Sequence, residues 1–165
     1  MKAAPHAANA YSTKIMSRTI LLDSGPLGPL CNPLSTPYSD ACNKWAQARL
    51  QAGDSVIISE VADFEVRREL LRASKTRSVQ KLDDLKTRLY FLPINSPTML
   101  RAAELWARAR NLGRPTASDL SLDADVIVAA QASLLIDDGD DVIIATSNPK
   151  HLSIFVPAAR WQDIL

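Results

Sequence analysis

Residues that build disulfide frameworks or structural zinc sites are scarce in this chain of 165 residues. It has only two cysteines, Cys31 and Cys42, without C-x-x-C spacing, and two histidines that lie far from them in sequence. This scarcity argues against a disulfide scaffold and against a cysteine-rich zinc site. Isolated thiols are typical of a reducing compartment, and we therefore expect a cytoplasmic protein.

The chain also lacks a strong net charge and a long apolar run. With 19 Lys and Arg against 18 Asp and Glu, its formal net charge is +1. The protein as a whole therefore exerts no strong field on duplex nucleic acid, and any such contact must use a local groove. The longest apolar stretch, residues 126–136, is too short to cross a bilayer and carries Gln131, so we expect no membrane association.

Several catalytic motifs are missing as well. No G-x-G-x-x-G or P-loop sequence is present, so dinucleotide and nucleoside triphosphate binding lack their usual phosphate cradle. Ser24 does not lie in a G-x-S-x-G nucleophile elbow. Phosphatases that form an aspartyl phosphate typically carry a second acid two residues after the first, but here the residue two positions after Asp23 is Gly25.

What is present is the composition of an ordinary globular domain. Hydrophobic residues make up 47% of the chain and charged residues 22%, and the length allows one domain with a proper core. Residues 1–17 are rich in Ala, Ser and Asn and lack the apolar centre of a secretory signal. We expect a flexible N-terminal tail at residues 1–17 and a single domain at residues 18–165.

Short apolar runs alternate with segments of helical periodicity along this domain. The runs predict strands at residues 20–22, 55–58, 91–94 and 141–145. The periodic segments predict helices at residues 39–52, 60–73, 77–89, 97–111 and 125–136, and a short helical turn at 149–155. Residues 24–28 are predicted to be a turn, and residues 26–38 are predicted to be a proline-rich loop. Strands that alternate with helices indicate an α/β fold with a central, mainly parallel sheet of four or five strands between helices.

An acidic residue follows the first predicted strand. Asp23 comes directly after the apolar residues 20–22 and before Ser24 and Gly25. In open α/β sheets, ligands bind outside the carboxyl ends of the strands. The position therefore makes Asp23 a candidate for chemistry, and for holding a metal ion in particular.

Other polar residues occupy comparable positions. Asp123 and Asp125 open an apolar helix, Thr146 and Asn148 follow a predicted strand, and Glu65 lies on a helix that directly follows another strand. Each has a structural explanation when it is considered alone, either as a solvated helix residue or as a cap. Together they are predicted to meet at one edge of the sheet.

Carboxylates that converge in this way repel one another unless a cation neutralises them. Carboxylate, amide and hydroxyl oxygens favour Mg²⁺ or Mn²⁺ over zinc. A site of this composition is suited to the hydrolysis of a phosphate ester, in which the metal activates water and stabilises the leaving oxygen.

The order of these segments resembles that of the PIN-domain ribonucleases, which include the VapC-type toxins. Four pieces carry the resemblance: LLDSGPLG at residues 21–28, ADFEVRREL at 62–70, DADVIVAAQA at 123–132 and ATSNPKHL at 145–152. Each is short, but the ordered set is specific and spans residues 18–156. The resemblance implies a three-layer α/β sandwich whose acids bind divalent metal, Mg²⁺ or Mn²⁺, and an activity that cuts single-stranded RNA.

Carried over residue by residue, the resemblance assigns metal-binding and catalytic roles to four residues. Asp23 matches the acid after the first strand, Glu65 the helical glutamate, and Asp125 the acid that begins the D-x-I-x-A-A helix. Asn148 and Thr146 match the T-x-D/N turn, in which Thr146 has a supporting role.

Two positions, one acidic and one an amide, extend or depart from the family pattern. Asp123, two residues before Asp125, is a further candidate metal ligand, either behind the first set or as an alternative to one of them. Asn148 stands where many members carry Asp, and an amide can orient a ligand but adds no negative charge. This departure weakens the case for a second metal ion. It leaves open an alternative to the enzyme, namely a PIN-like nucleic-acid-binding or scaffold module with little or no catalysis.

Basic residues flank Glu65 on the same predicted helix. Arg67, Arg68 and Arg72 are predicted to contact RNA phosphates, and a solvated basic helix face is the alternative. The resemblance further implies an antitoxin partner, as in VapC-type pairs, and a homodimer; sedimentation at low concentration that shows only monomer would contradict the dimer.

The histidines and tryptophans are predicted to have structural roles. His6 and His151 are expected at the surface rather than among the ligands. Trp45, Trp106 and Trp161 are far apart in sequence and are expected in the core or in an interface, because a base-stacking platform would need them together on one surface.

Overall fold

The computed structural model describes residues 17–114 and 123–165 of the chain. The predicted N-terminal tail lies outside these ranges except for its last residue, and so does His6.

A sheet of five strands runs through the described part of the chain. In chain order the strands are β1 (Thr19–Leu22), β2 (Ser55–Ser59), β3 (Tyr90–Leu92), β4 (Val142–Thr146) and β5 (Ala158–Arg160). They lie in the order β3-β2-β1-β4-β5, and each neighbouring pair is parallel. The predicted α/β fold with a mainly parallel sheet of four or five strands is confirmed.

Seven α-helices flank the sheet in the described ranges. They are α1 (Ser24–Leu30), α2 (Pro37–Gln51), α3 (Glu60–Arg72), α4 (Thr76–Arg88), α5 (Ser96–Asn111), α6 (Ala124–Asp137) and α7 (Pro149–Leu152), followed near the C-terminus by a 3₁₀ turn (Trp161–Asp163). The starts of α2 and α5 have the expected chemistry, because Thr36 and Asn95 each accept a hydrogen bond from a backbone N–H in the first turn.

The alternation of side chains along β1 divides the core between the two faces of the sheet. Ile20 and Leu22 pack with buried residues of α1, α2, α3 and α4 on one face. Leu21 packs with buried residues of α5, α6 and α7 on the other. All three strand residues are completely buried, so β1 is the middle strand of a three-layer sandwich.

The strand order reverses at this central strand. After β1 the chain forms β2 and β3 on one side of it, and later adds β4 and β5 on the other side. In sheets of this kind a crevice opens at the carboxyl ends of the strands where the order reverses. Asp23 directly follows β1, and Thr146 ends β4, so both residues border the crevice.

The prediction of a turn at residues 24–28 was wrong, because these residues begin helix α1. Pro26 lies in the first turn of α1, where a backbone N–H has no partner within the helix and none is lost. Leu27 and Leu30 are buried in the core, and their burial outweighs the poor helix propensity of the glycines and prolines. The predicted long loop is therefore reduced to residues 31–36.

The last strand and the 3₁₀ turn were not predicted. β5 has only three residues, too few to show a period of two. The turn that follows buries Trp161, whose ring lies 5.7 Å from that of Trp45 and 5.6 Å from that of Tyr38. The Trp45 indole also donates a hydrogen bond to the carbonyl of Ile164 at 3.1 Å. Aromatic packing thus fixes the C-terminus against α2.

Both cysteines lie in the core on the α1–α4 face of the sheet. They are free thiols, and burial raises the pKa of Cys31 and of Cys42 to about 12. The two thiols therefore stay protonated and act as small apolar core residues. No helix in residues 17–114 or 123–165 combines the length and the apolar character that a membrane span requires.

A buried acid holds α3 against α4. Asp63 is 5% exposed, and its carboxylate accepts hydrogen bonds from Arg67 Nε at 2.9 Å and Lys86 Nζ at 2.7 Å. Arg67 also donates to Asp83 at 2.8 Å, and the Lys86 ammonium lies 3.9 Å from the centre of the Phe91 ring. The charge of Asp63 is thus compensated by two cations, and the network links the two helices.

Replacing Asp63 with Asn should lower the free energy of unfolding by about 2–3 kcal/mol, because it removes the buried acid that pairs with Lys86 and leaves Arg67 paired with Asp83 alone. The matched control is Glu69→Gln, which breaks the exposed pair of Glu69 with Arg72 at 2.7 Å and should leave stability unchanged. Urea denaturation measures both variants, and equal stability of the two would contradict the role of Asp63.

Candidate functional site

The site is built at the carboxyl ends of the two central strands. β1 and β4 pair in parallel, with Leu22 opposite Ala145. The backbone N–H of Asp23 donates to the carbonyl of Ala145 at 3.0 Å, so the ladder continues to the residue that carries the acid. This bond fixes the Asp23 backbone beside the end of β4.

The Asp23 side chain is fixed by the same strand. It is 8% exposed, and its Oδ2 accepts a hydrogen bond from the Thr146 hydroxyl at 2.8 Å. The Thr146 hydroxyl in turn accepts one from the backbone N–H of Asn148 at 3.1 Å. Although Asp23 is the N-cap residue of α1, its side chain makes no capping bond, so the carboxylate is directed to the site instead.

The Asn148 side chain has a more peripheral position. Asn148 is exposed and is the N-cap residue of α7, but its amide makes no capping hydrogen bond. Its backbone rather than its amide is held by Thr146. Of the predicted turn, Thr146 is therefore the residue in direct contact with an acid of the site.

A close backbone approach sets the distance between α1 and this turn. A Cβ atom at Gly25 would lie 2.8 Å from the backbone nitrogen of Ser147 and would overlap the Ser147 side chain. Only glycine allows the first turn of α1 to lie this near the segment after β4. Gly25 thereby keeps Asp23 beside Thr146.

Glu65 approaches the site from α3, which begins directly after β2. The side chain is half-buried, and the loss of hydration raises its pKa, as does the negative charge of Asp23. The Ser24 hydroxyl and Arg68 act in the opposite direction, while Asp125 raises the pKa further. Glu65 therefore lies close enough to both aspartates to be repelled by them.

Asp125 approaches from the first turn of α6. Burial raises its pKa, and the charges of Asp23 and Asp123 raise it further. Its Oδ2 lies 3.2 Å from Nδ1 of His151 on α7, and this contact lowers the pKa in part. Asp23 thus acts on Glu65 and on Asp125, and the three acids form one electrostatic cluster.

Asp123 has a structural position in the same region. It is 7% exposed and is the N-cap residue of α6, where its Oδ1 accepts a hydrogen bond from the Val126 N–H at 3.3 Å. This contact is the capping alternative that the sequence left open. Its role as a metal ligand stays a prediction.

The three acids match a divalent cation in chemistry and charge, since they are hard oxygen donors that repel one another. They are not arranged as a finished coordination shell: within residues 17–114 and 123–165, no three Asp, Glu, His or Cys side chains together could hold a metal ion. Each acid instead contacts a neighbour of its own: Asp23 accepts a hydrogen bond from Thr146, Asp125 contacts His151, and Glu65 interacts with the Ser24 hydroxyl. Ligation would require Glu65 and Asp125, which are both partly exposed, to turn towards Asp23.

The three arginines predicted to bind RNA have different surroundings. Arg67 is bound to Asp63 and Asp83 and stabilises the fold. Arg72 pairs with Glu69 at 2.7 Å. Arg68 is exposed and lies 5.4 Å from the centre of the Phe64 ring. Its charge lowers the pKa of Glu65, so Arg68 is the one of these three arginines that acts on an acid of the site.

An open groove of about 670 Å³ begins at Glu65 and continues between α1, α2, α3 and α4. Its lining contains the basic residues Arg68 and Lys75, the acidic residues Glu65 and Glu69, and apolar and hydroxyl groups such as Leu34, Tyr38 and Ser24. Arg68 and Lys75 can each contact a phosphate group, and Tyr38 presents an aromatic ring, while the two acids balance the charge of the two basic residues.

The sequence did not indicate three features of the site. The expectation that His151 is only a surface residue was incomplete, because it is partly exposed but contacts Asp125. The contact of Gly25 with Ser147 and the influence of Ser24 on Glu65 were also not foreseen. The one available signal was the position of His151 in the same turn as Asn148, directly after β4.

Known structures share this fold, whereas no protein-family model and no curated protein matches the chain. A chain in the crystal structure of VapBC2 from Rickettsia felis, bound to a DNA fragment from their promoter, aligns with a TM-score of 0.63 and 16% identity. The alignment covers 87% of this chain and 98% of that chain.

Two further structures give the same result. A chain of VapBC-1 from nontypeable Haemophilus influenzae aligns with a TM-score of 0.60 and 17% identity, over 88% of this chain and 99% of that chain. A chain of DNA-bound VapBC from Salmonella typhimurium aligns with a TM-score of 0.60 and 14% identity, over 87% and 98%. At these identities the likeness establishes the fold, and it confirms the predicted resemblance at that level.

Replacing Gly25 with Ala should destabilise the protein by about 1–3 kcal/mol, because the new methyl group forces α1 away from Ser147. Gly28→Ala is the matched control on the same helix: its Cβ would meet nothing within 4 Å, so it should be neutral or slightly stabilising. Urea denaturation of both variants decides the point, and a neutral Gly25→Ala would refute the close approach.

The stability of the metal-free protein should fall as the pH rises through the raised pKa values of Glu65 and Asp125. A raised pKa in the folded state means that folding favours the protonated acid, so this stabilisation is lost as the acids ionise. The window opens above their ordinary values of 4.5 and 3.8.

The double variant Glu65→Gln, Asp125→Asn should therefore become more stable than the original protein as the pH rises towards neutrality. We expect a difference in Tm of at most about 2–4 °C, equivalent to roughly 1 kcal/mol, because partial exposure screens the repulsion. Thermal unfolding in a chelator measures this difference, and a difference that is independent of pH would show that the acids do not repel one another.

Proposed function

We propose that this protein is a metal-dependent endoribonuclease that cleaves single-stranded RNA, and that it is the toxin of a toxin–antitoxin pair. The observation that carries the proposal is the electrostatic cluster of Asp23, Glu65 and Asp125 at the carboxyl edge of a parallel sheet. Proteins rarely leave one buried acid and two half-buried acids close enough to repel one another, and such clusters are typical of functional sites.

The acids have complementary roles in this proposal. Asp23 is the fixed member, since Thr146 and the β4 backbone hold it. Glu65 and Asp125 are the adjustable members, because both are only partly buried. A Mg²⁺ or Mn²⁺ ion held by these three acids would activate water and stabilise the departing oxygen of a phosphodiester. Asp123, the buried N-cap residue of α6, and the exposed Asn148 would support the same site.

RNA is the substrate that the surroundings of the acids support best. The groove that begins at Glu65 contributes the positive charges of Arg68 and Lys75 and the ring of Tyr38. Positive groups of this kind position a phosphate backbone, and an exposed ring can stack on an unpaired base. With a net charge of only +1, this local groove is where binding would be concentrated.

An antitoxin is the partner that we propose from the structural likeness. The three aligned chains come from VapBC complexes, in which VapC-type toxins are paired with antitoxins. A protein segment that occupied the groove beside Glu65 would exclude RNA from the acids. The predicted homodimer stays a prediction.

The alternative is a PIN-like module that binds nucleic acid, or serves as a scaffold, with little or no catalysis. Two observations favour it: Asn148 adds no charge to the site, and the described acids are not arranged as a finished metal site. The two functions differ in whether metal-dependent cleavage occurs at all.

Asp23→Asn, Glu65→Gln and Asp125→Asn should each reduce cleavage of a fluorescent single-stranded RNA in the presence of Mn²⁺ by at least about a hundredfold, since each removes a charge from the ion. Asp140→Asn is the control, because Asp140 is exposed and precedes β4 at the opposite edge of the sheet. Equal cleavage by all five proteins, or cleavage by none, would contradict the nuclease and favour the binding module.

Expression of the protein in bacterial cells should arrest growth, and Glu65→Gln should relieve the arrest at equal protein level, because the toxic step is the cleavage itself. Asp140→Asn should remain toxic. Growth curves with immunoblotting measure both, and arrest that persists with Glu65→Gln would reject a toxin that acts through this site.

A further inference from the structure

A second cavity, of about 380 Å³, adjoins the groove that begins at Glu65. It is lined by residues 32–34, which follow α1, and by residues 74–78 at the start of α4, and we call it the α4 cavity. Four residues line both the groove and the α4 cavity: Asn32, Leu34, Lys75 and Ser78. A strand that lies in the groove beside Glu65 can therefore continue into the α4 cavity.

The groove and the α4 cavity differ in charge. In the groove, Arg68 and Lys75 are balanced by Glu65 and Glu69. The α4 cavity contains Lys75 and Arg77, and none of the described residues that line it is acidic. The side chains of Lys75 and Arg77 form no ion pair within residues 17–114 and 123–165. The α4 cavity therefore carries two positive charges without a countercharge.

Ser78 adds a hydrogen-bond donor to this cavity. The residue is only 6% exposed, yet its hydroxyl has no hydrogen-bond partner in the part of the chain that the structure describes. The hydroxyl oxygen is not fully enclosed by protein, so it borders the cavity that the residue lines. A buried hydroxyl without a partner is unfavourable, and a ligand that accepts its hydrogen bond would remove this cost.

The start of α4 adds to the positive potential. Lys75 is the N-cap residue of this helix, and no side chain caps it by a hydrogen bond. The first turn also contains no acidic residue. Backbone N–H groups at the start of a helix carry partial positive charge and attract anions. The charge of the helix end and the charges of the side chains thus favour the same kind of ligand.

The wall of the cavity opposite this helix end is held in place. Lys81 of α4 donates a hydrogen bond to the carbonyl of Asn32 at 2.7 Å. The Asn32 side-chain oxygen accepts a hydrogen bond from the backbone N–H of Leu34 at 3.0 Å. The cavity is therefore formed before a ligand binds, and little ordering is required on binding.

We propose that the α4 cavity is a phosphate-binding subsite, and that it holds a phosphate of the RNA strand away from the bond that is cut. Lys75, Arg77 and the Ser78 hydroxyl are the groups that would contact the phosphate. The proposal rests on the RNA substrate of the proposed function and adds a second point of contact for it.

The first test measures RNA binding without cleavage. Fluorescence anisotropy in a chelator gives the affinity of the full chain for a single-stranded RNA of about sixteen nucleotides, over a range of salt concentrations. The test variants are Ser78→Ala and the double variant Lys75→Gln, Arg77→Gln. The charge-matched control is Lys44→Gln, Arg88→Gln, because both residues are exposed and line neither the groove nor the α4 cavity.

We expect the double variant Lys75→Gln, Arg77→Gln to bind RNA roughly tenfold more weakly, with a salt dependence of log K that is smaller by roughly 0.7 for each lost phosphate contact. Ser78→Ala should weaken binding by roughly fivefold and leave the salt dependence unchanged, because it removes a donor but no charge. The control should change the affinity by less than about threefold. Urea denaturation should show that Ser78→Ala is no less stable than the original protein, since the lost hydroxyl had no partner.

The second test is cleavage of the same RNA with Mn²⁺. Lys75→Gln, Arg77→Gln should raise KM and leave kcat unchanged, because the contact is remote from the reacting bond. A lower kcat with an unchanged KM would place the two cations at the bond that is cut and would overturn the remote subsite.

The two assays separate failure of this inference from failure of the proposed function. If cleavage depends on Asp23 but Lys75→Gln, Arg77→Gln binds RNA as the control does, the subsite is overturned and the nuclease stands. If no RNA is cleaved but binding depends on Lys75, Arg77 and Ser78, the subsite stands and belongs to the binding module. If the original protein neither binds nor cleaves RNA, both proposals are overturned.

Discussion

The parallel pairing of β1 with β4 is the constraint on which the rest of the site depends. Their register continues through the bond from Asp23 to Ala145 and ends in the hydrogen bond between Thr146 and Asp23. Residues that are more than a hundred positions apart in the chain thereby share one edge of the sheet. Because the strand order reverses at β1, the connecting helices diverge there and leave a crevice.

The fold places several negative charges close together at this crevice. Elsewhere it pairs a buried negative charge with cations. Asp63 is more deeply buried than Glu65, yet Arg67 and Lys86 compensate it completely. Glu65 and Asp125, by contrast, have raised pKa values, and no strong cationic partner offsets their repulsion by Asp23. The difference separates an acid that holds helices together from acids that are available to a ligand, and proteins commonly accept such local instability at functional sites.

Much of the fold could be predicted from residue patterns. The apolar runs predicted β1, β2, β3 and β4 to within one or two residues, because buried parallel strands are continuous apolar segments. The failures have physical reasons. Helix α1 is rich in Gly and Pro and exists because Leu27 and Leu30 are buried against the sheet. β5 is too short for a pattern, and its pairing with β4 exists only in the assembled sheet.

For the site, the sequence by itself determined which side chains are available: the acids after strands and at helix starts, few cysteines and histidines, and an amide at position 148. Only the tertiary structure decided which of them act on one another. It brought Asp23, Glu65 and Asp125 into one cluster, assigned Arg67 to Asp63, and turned His151 towards Asp125. The reason is that residue type is local information, whereas repulsion and hydrogen bonding depend on distances that the packing of strands and helices sets.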